Sequence, residues 1–435
     1  MNFEKYHRAV KSTSPFSVYG KVSGVAGLLV KGYNFGTSIG EMCRIYPVGN
    51  NITIGAEVMG FMEDKVLLMP FGNLDNVGPG CRILSTGKKS NVKVGSNLLG
   101  RVIDGLGEPI DNKGPIESDS EYPIYAVPIN PLKRGRITEP IDLGIRAMNG
   151  LFGCGRGQRV GIFAGSGVGK SFLLGMIARN TTADINVIGL VGERGREVRE
   201  FIENNLGKEG LARSVVVVAT SDMHPLIRMR AAYVATAISE YFRDQGKDVL
   251  LMVDSLTRFA MAQREVGLSV GEPPTAKGYT PSVFSIMPKL LERAGNIEDS
   301  GSITSLYTVL VEGDDFNEPI ADTARSILDG HITLTRSLAA RNHYPAIDVL
   351  QSISRLMIDI VDEKHQKMAN NVLNIVSTYR KSEDLINIGA YVEGSSPEID
   401  NAIKMIGKVN SFLRQDVDEK VSFEESKEQL FALFD

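Results

Sequence analysis

The stretch Gln158-Arg159-Val160-Gly161-Ile162-Phe163-Ala164-Gly165-Ser166-Gly167-Val168-Gly169-Lys170-Ser171 leaves this chain few ways to fold. The apolar run Val160 to Ala164 predicts a buried strand, and the pattern from Phe172 to Arg179 predicts a helix. A glycine-rich loop ending in Lys-Ser between a strand and a helix is the order that a phosphate-binding loop requires. Glycines let successive backbone N–H groups turn inward around phosphates. The lysine reaches the outer phosphates, the serine hydroxyl holds Mg²⁺, and the new helix points its positive end at the anion. Gly165, Ser166, Gly167, Val168, Gly169, Lys170 and Ser171 are therefore the expected phosphate and Mg²⁺ contacts. The strict pattern has Gly where Ala164 stands, and a small residue serves there. A chance Gly-Lys-Ser in a glycine-rich turn leaves the flanking strand and helix unexplained. A nucleoside triphosphate is the expected ligand.

The rest of the composition narrows what such a ligand drives. The chain has 435 residues, 43% hydrophobic and 23% charged. That is enough for about three globular domains. A formal charge of −4 and a pI near 5.9 argue against a dedicated nucleic-acid binder, which carries a basic excess. Cys43, Cys81 and Cys154 are far apart and odd in number, so neither a disulfide framework nor a zinc spacing is present, as suits a reducing cytoplasm. The N-terminal residues form no apolar signal, and no run reaches the roughly 18 apolar residues of a membrane span. A membrane role would come through partners.

Four segments follow from the patterning. In residues 1–16, Phe3, Tyr6, His7 and Val10 share one face of a short helix. That segment is either a frayed terminus or a docking helix for a partner protein. Residues 17–85 hold short β-prone runs separated by Gly, Asn and Asp turns, the texture of a small barrel or sandwich. Residues 86–150 are turn-dense and proline-rich, an extended lead-in to a nucleotide domain that reaches residue 355. From Arg159 onward, the strand-like runs Ile185 to Val191, Ser214 to Ala219, Val249 to Val253 and Ile303 to Leu310 alternate with helical stretches, which implies a parallel sheet covered by helices. In residues 356–435 the strands stop. Met357 to Arg380 and Pro397 to Gln415 have helical period, broken around Gly389 and Gly394. The fold class is thus α/β, with a β-rich front and a helical end.

Several residues add chemistry to the loop. Val249-Leu250-Leu251-Met252-Val253-Asp254 is an apolar strand ending in a carboxylate, which places Asp254 at the sheet edge to orient Mg²⁺. Glu193 follows the strand Ile185 to Val191 and is the candidate for polarising an attacking water. Glu197 is the structural alternative, pairing with an arginine, and spacing alone leaves both open. An anionic transition state calls for an arginine, and Arg194, Arg258, Arg264 and Arg355 are candidates. Tyr344, stiffened by Pro345, either stacks on a base or packs as an ordinary tyrosine. The five histidines show no metal spacing.

Taken together, Gly165 to Ser171, Gly192 to Glu197, Asp254 to Arg258, Gly271-Glu272-Pro273-Pro274, Gly278 to Ser282, Glu312-Gly313-Asp314-Asp315 and His343 to Asp348 resemble the rotary ATP synthase α/β-subunit superfamily. Within it they look most like the flagellar protein-export ATPases. The resemblance spans nearly the whole chain. It implies a six-stranded barrel, a RecA-like P-loop ATPase core and a C-terminal helical domain. It also implies a homohexameric ring with ATP between neighbours. Through it Lys170 and Ser171 bind phosphates and Mg²⁺, Glu193 becomes the catalytic glutamate, Arg355 the finger reaching a neighbour's site, and Tyr344 the adenine-stacking ring. The implied partners are a stator-like regulatory protein at the N-terminus, a central stalk-like export protein, export chaperones and substrates, and an export gate. The implied location is cytoplasmic, at the inner membrane beneath a flagellum.

Nearby relatives differ at named positions. Non-catalytic rotary subunits lack the glutamate that stands here as Glu193. Proton-motive catalytic subunits carry Gly-Glu-Arg-Thr where this chain has Gly192-Glu193-Arg194-Gly195. Virulence type III secretion ATPases commonly carry a Gly-Cys-Gly-Lys style loop where this chain has Gly167-Val168-Gly169-Lys170. The transcription terminator Rho shares the core, but no front domain with basic and aromatic stacking residues is evident here.

Overall fold

A computed structural model of the chain describes Phe3, His7 and residues 18–33, 35–49, 52–298, 300–311, 313 and 315–435. The expected docking helix of residues 1–16 lies outside the described residues apart from Phe3 and His7, as do Glu312 and Asp314. The chain divides into two compact units: Met1–Asn91 with Glu265–Pro273, and Val92–Arg264 with Pro274–Asp435.

The first unit is a closed six-stranded barrel. Its strands are β1 (Tyr19–Ala26), β2 (Leu29–Tyr33), β3 (Glu41–Tyr46), β4 (Ile54–Met62), β5 (Lys65–Pro70) and β6 (Arg82–Lys89). They run in the order β1-β2-β5-β4-β3-β6, and β6 pairs back onto β1, so no edge is left open. Alternating side chains fill the interior, among them Val22, Val30, Cys43, Ile45, Val58, Val66, Leu68, Cys81 and Ile83. The barrel runs past the expected boundary at residue 85. Glu41 pairs with Lys89, and the Thr86 hydroxyl donates to the Met42 carbonyl at 2.7 Å, so β3 holds in place a polar run that reads as a turn.

The second unit is built on a twisted sheet. Its strands are β7 (Arg101–Asp104), β8 (Arg159–Ala164), β9 (Ile185–Glu193), β10 (Ser214–Thr220), β11 (Asp248–Asp254), β12 (Ser302–Leu310), β13 (Gly330–Leu334) and β14 (Ile353–Ser354). The order is β14-β13-β8-β12-β11-β9-β10-β7. All neighbours are parallel except β14, which pairs antiparallel with β13. The supposed lead-in therefore contributes an edge strand, β7, whose Val102 pairs with Val216. The apolar runs of β9, β10 and β11 reflect burial on both faces. This order sets the carboxyl ends of β8, β12, β11 and β9 side by side.

Helices cover the sheet: α1 (Arg146–Leu151), α2 (Lys170–Asn180), α3 (Gly195–Glu200) and α4 (Pro225–Asp244). Pro225 at the first turn and the His224 side chain accepting from Leu226 N start α4. The expected single helix from Met357 is interrupted. Asp362 caps a new helix, α5 (Glu363–Asn387), by accepting from His365 N at 2.8 Å. After α6 (Pro397–Leu413), the sequence reading missed α7 (Phe423–Phe431), which a Ser422–Glu425 capping box begins. The C-terminal helices share the core of the sheet. Ala369, Val372, Ile375, Met405, Val409, Phe412 and Leu430 join one apolar cluster with Met148, Leu151, Leu173 and Ile188. Gly150 is required there, because a Cβ would come within 2.8 Å of the Phe412 ring. The three cysteines are buried and free, and burial pushes the thiols of Cys43 and Cys154 up to about 12. Among the described residues, no helix is long and apolar enough to cross a membrane.

Candidate functional site

The loop that leaves β8 turns on glycines for a geometric reason. Gly167 and Gly169 have φ of 78° and 90°, where a Cβ is strained. Gly169 immediately precedes α2, whose first residue is Lys170. The loop and that first turn, whose N–H groups have no partner within the helix, border a cavity of about 950 Å³. Gly165, Ser166, Gly167, Gly169, Lys170 and Ser171 line it, joined by Gly192, Glu193, Arg194 and Glu197 from the end of β9 and the start of α3. Val168 points the other way, into the core.

Across the cavity mouth, charges are arranged around Lys170. Its Nζ pairs with Asp254 Oδ1 at the end of β11 and lies 3.4 Å from Glu193 Oε1. The Thr308 hydroxyl, on the adjacent β12, donates to the same Asp254 oxygen at 2.6 Å. Asp254 is only 4% exposed, and these partners satisfy the buried carboxylate. Burial alone would lower the Lys170 pKa, but Asp254 and Glu193 outweigh it and hold the ammonium above its ordinary value. Glu193 behaves in the opposite sense. Burial, then the Asp254 charge, raise its carboxyl to about 7; Lys170 opposes them and the Glu197 hydrogen bond adds to them. A carboxyl so tuned exchanges protons near neutrality, which suits a group that polarises water. The Asp254–Ser255 and Tyr344–Pro345 peptide bonds are cis.

The arginine candidates separate by position. Arg194 lines the cavity, is largely exposed and pairs with Glu197 at 3.3 Å. Arg258, in the first turn of the helix Leu256–Ser269, also lines it, packed beside Gly192 with its Nε unpartnered. Arg264 instead lies over the Tyr279 ring, 5.4 Å from its centre, away from the loop. Arg355 is exposed and does not line the cavity. Its guanidinium donates to the Arg325 carbonyl at 3.1 Å. Tyr344 does reach the loop: a Cβ on Gly169 would meet its ring at 3.4 Å, and the ring is 41% exposed.

Oxygen donors suited to a hard cation are at hand in the Ser171 hydroxyl and the Asp254 carboxylate. Among the described residues, no group of three or more His, Cys, Asp or Glu could hold a metal alone. That pattern fits Mg²⁺, which takes one or two protein oxygens and completes its shell with phosphates and water. Sequence reasoning missed Thr308, Ser221 and Arg336 at this site. Thr308 had a signal, a hydroxyl in a wholly buried strand beside an apolar strand ending in Asp. Arg336, the exposed first residue of the short helix Arg336–Ala340, had none.

Residues 144–354 match the family model of the ATP synthase alpha/beta family, nucleotide-binding domain, and residues 361–432 match that of the T3SS EscN ATPase C-terminal domain. The chain is 55% identical over 425 residues to the flagellum-specific ATP synthase of Bacillus subtilis, covering 98% of this chain and 97% of that one. It is 51% identical over 417 residues to the type 3 secretion system ATPase of Xanthomonas euvesicatoria, covering 96% and 94%. The assembled ATPase EscN of the enteropathogenic E. coli type III secretion system superposes with a TM-score of 0.90 at 47% identity, covering 95% of this chain and 99% of that one. A structure of EscN in complex with its central stalk EscO superposes at 0.88.

Proposed function

This chain belongs to the ATP synthase alpha/beta family, among the flagellum-specific and type 3 secretion ATPases, and we propose that it hydrolyses ATP to energise flagellar protein export. The observation that carries the reaction is the face-off between Lys170 and Glu193 across the loop, with the Glu193 carboxyl raised to about 7. Lys170, Ser171 and the backbone N–H groups from Gly165 to Gly169 hold the phosphates. Mg²⁺, bound through Ser171 and Asp254, would neutralise charge on the phosphate oxygens. Glu193 polarises a water for in-line attack on the γ-phosphorus, and ADP leaves. Arg194, which lines the same cavity, would stabilise the transferring group.

Arg355 lies off its own chain's cavity, and in this reading it completes the site of a neighbouring copy in a homohexamer. The assembled state of EscN supports a ring. Tyr344 stacks on the adenine. The EscN complex supports a stalk-like partner, and likeness to flagellum-specific enzymes supports a cytoplasmic location at the inner membrane. Residues 1–16 would dock a stator-like regulator. Chaperones, substrates and an export gate complete the machinery.

Mixing Glu193→Ala with Arg355→Ala subunits tests the composite site. Each ring type alone is expected to be inactive, and mixed rings regain part of the phosphate release. No recovery in rings shown to be mixed overturns the inter-subunit role. The flagellar assignment rests on the interior of the loop and on full-length likeness to flagellum-specific enzymes. The virulence-type alternative is supported by the 51% identity to a type 3 secretion ATPase. Expression in a motile bacterium lacking its own export ATPase decides between them. Restored hook and filament export is expected; restoration of needle-type secretion alone would overturn the flagellar reading.

A further inference from the structure

The base side of the site depends on a segment far away in sequence. After α6 ends at Leu413, the strap Arg414 to Lys420 crosses beside the end of the P-loop helix. Gln415 N–H donates to the Tyr344 carbonyl at 2.9 Å. The Gln415 side chain is 4% exposed and its amide is almost fully used. Its Oε1 accepts from Arg146 N at 2.8 Å, and its Nε2 donates to the carbonyls of Gly144 at 2.9 Å and Glu419 at 3.0 Å. Gly144 in turn abuts Asn180, the last residue of α2. Two arginines fasten the rest of the strap. Arg146 donates to Arg414 O at 2.8 Å and pairs with Glu419, and Arg179, in the last turn of α2, donates to Val417 O at 2.8 Å.

A buried primary amide with three well-formed bonds holds its backbone to one position, because any shift leaves polar groups unpaired. The backbone so held is the one that grips Tyr344. We infer that Gln415 is a positioning residue for the nucleotide site, setting the Tyr344 ring against Gly169 and tying it to the C-terminal helices. The inference rests on the reading of Tyr344 as the base-stacking ring. No bond from Gln415 reaches the phosphate side, so its removal acts on base recognition and leaves phosphate binding alone.

The chain contains no tryptophan, so Tyr344→Trp places a sole indole beside Gly169. Adding ADP with Mg²⁺ is expected to quench its emission as the base stacks. An unchanged emission with ADP shown to be bound overturns the base-stacking reading itself, independently of Gln415. Gln415→Met in the same background conserves volume and drops the amide bonds. It is expected to reduce the quench at saturating ADP and to weaken ADP about tenfold, the equivalent of one lost hydrogen bond. Competition by inorganic tripolyphosphate, which carries no base, stays the same. Unchanged quench and affinity for ADP overturn the role of Gln415. An equal loss for ADP and tripolyphosphate also overturns it, as the mark of general loosening. Where Gln415→Met is recovered unfolded, Gln415→Glu, isosteric and still an acceptor for Arg146 N, carries the same readouts.

Discussion

The two ends of the nucleotide cavity are built on different principles. At the phosphate end, Glu193 and Asp254 are the last residues of neighbouring parallel strands and Lys170 is the first residue of a helix. Their positions follow from the sheet order, and the inner strands that carry them are almost fully buried. At the base end, Tyr344 lies in a loop and is steadied by a strap that arrives from more than one element away. On the proposed roles, rigid scaffolding serves the reacting groups, and a hydrogen-bonded clasp serves recognition. The difference predicts which constant each change moves: turnover at the phosphate end and KM at the base end.

The largest effect is expected at Glu193. Glu193→Gln keeps the shape and removes the base, and kcat for phosphate release should fall by about 10³-fold. A residual rate within tenfold of the parent would assign water activation elsewhere. A pH profile sharpens the same point. The Glu193 carboxyl is raised to about 7 and must be ionised to act as a base. kcat/KM should therefore be at its plateau above pH 7 and decline as pH falls through that value. A limb centred near an ordinary carboxylate pKa would contradict the environment described here.

Thr308→Val removes the hydroxyl that donates to Asp254 and leaves the core volume intact. A roughly tenfold loss of kcat is expected, together with a higher Mg²⁺ requirement in titrations of activity. At the base end, Tyr344→Ala should raise the KM for ATP about tenfold, in line with stacking worth about 1–3 kcal/mol, with kcat within a factor of about two. A drop in kcat instead would dissolve the distinction between the two ends. The smallest effect lies outside both. Ser422→Ala removes the capping box of α7 and should lower stability by about 1 kcal/mol, seen as a modest shift in thermal unfolding with unchanged KM.

The same contrast explains what the sequence made legible. Gly165 to Ser171 and Asp254 form a contiguous motif and a strand end that local pattern picks out, whereas spacing left Glu193 and Glu197 open until the family resemblance chose between them. The α/β core follows from the alternation of strands and helices, and the six strands of the barrel from the resemblance. Thr308 and Gln415 act through partners far away in sequence, at separations that periodicity does not see. Strand β7 was hidden because its partner β10 lies more than a hundred residues downstream. Helix α7 was overlooked although Ser422-Phe423-Glu424-Glu425 carries the local signature of a helix start. Arg355 is set apart from the cavity of its own chain, and only the family resemblance links it to the reaction.

The burial of Cys43, Cys81 and Cys154 has a practical consequence. Alkylating reagents attack the thiolate, and burial suppresses it at Cys43 and Cys154. The folded protein is thus expected to react only slowly with maleimides without any engineering. A single cysteine introduced on an exposed helix would take a dye or crosslinker alone, so distances between copies could be followed during turnover in an otherwise unaltered chain.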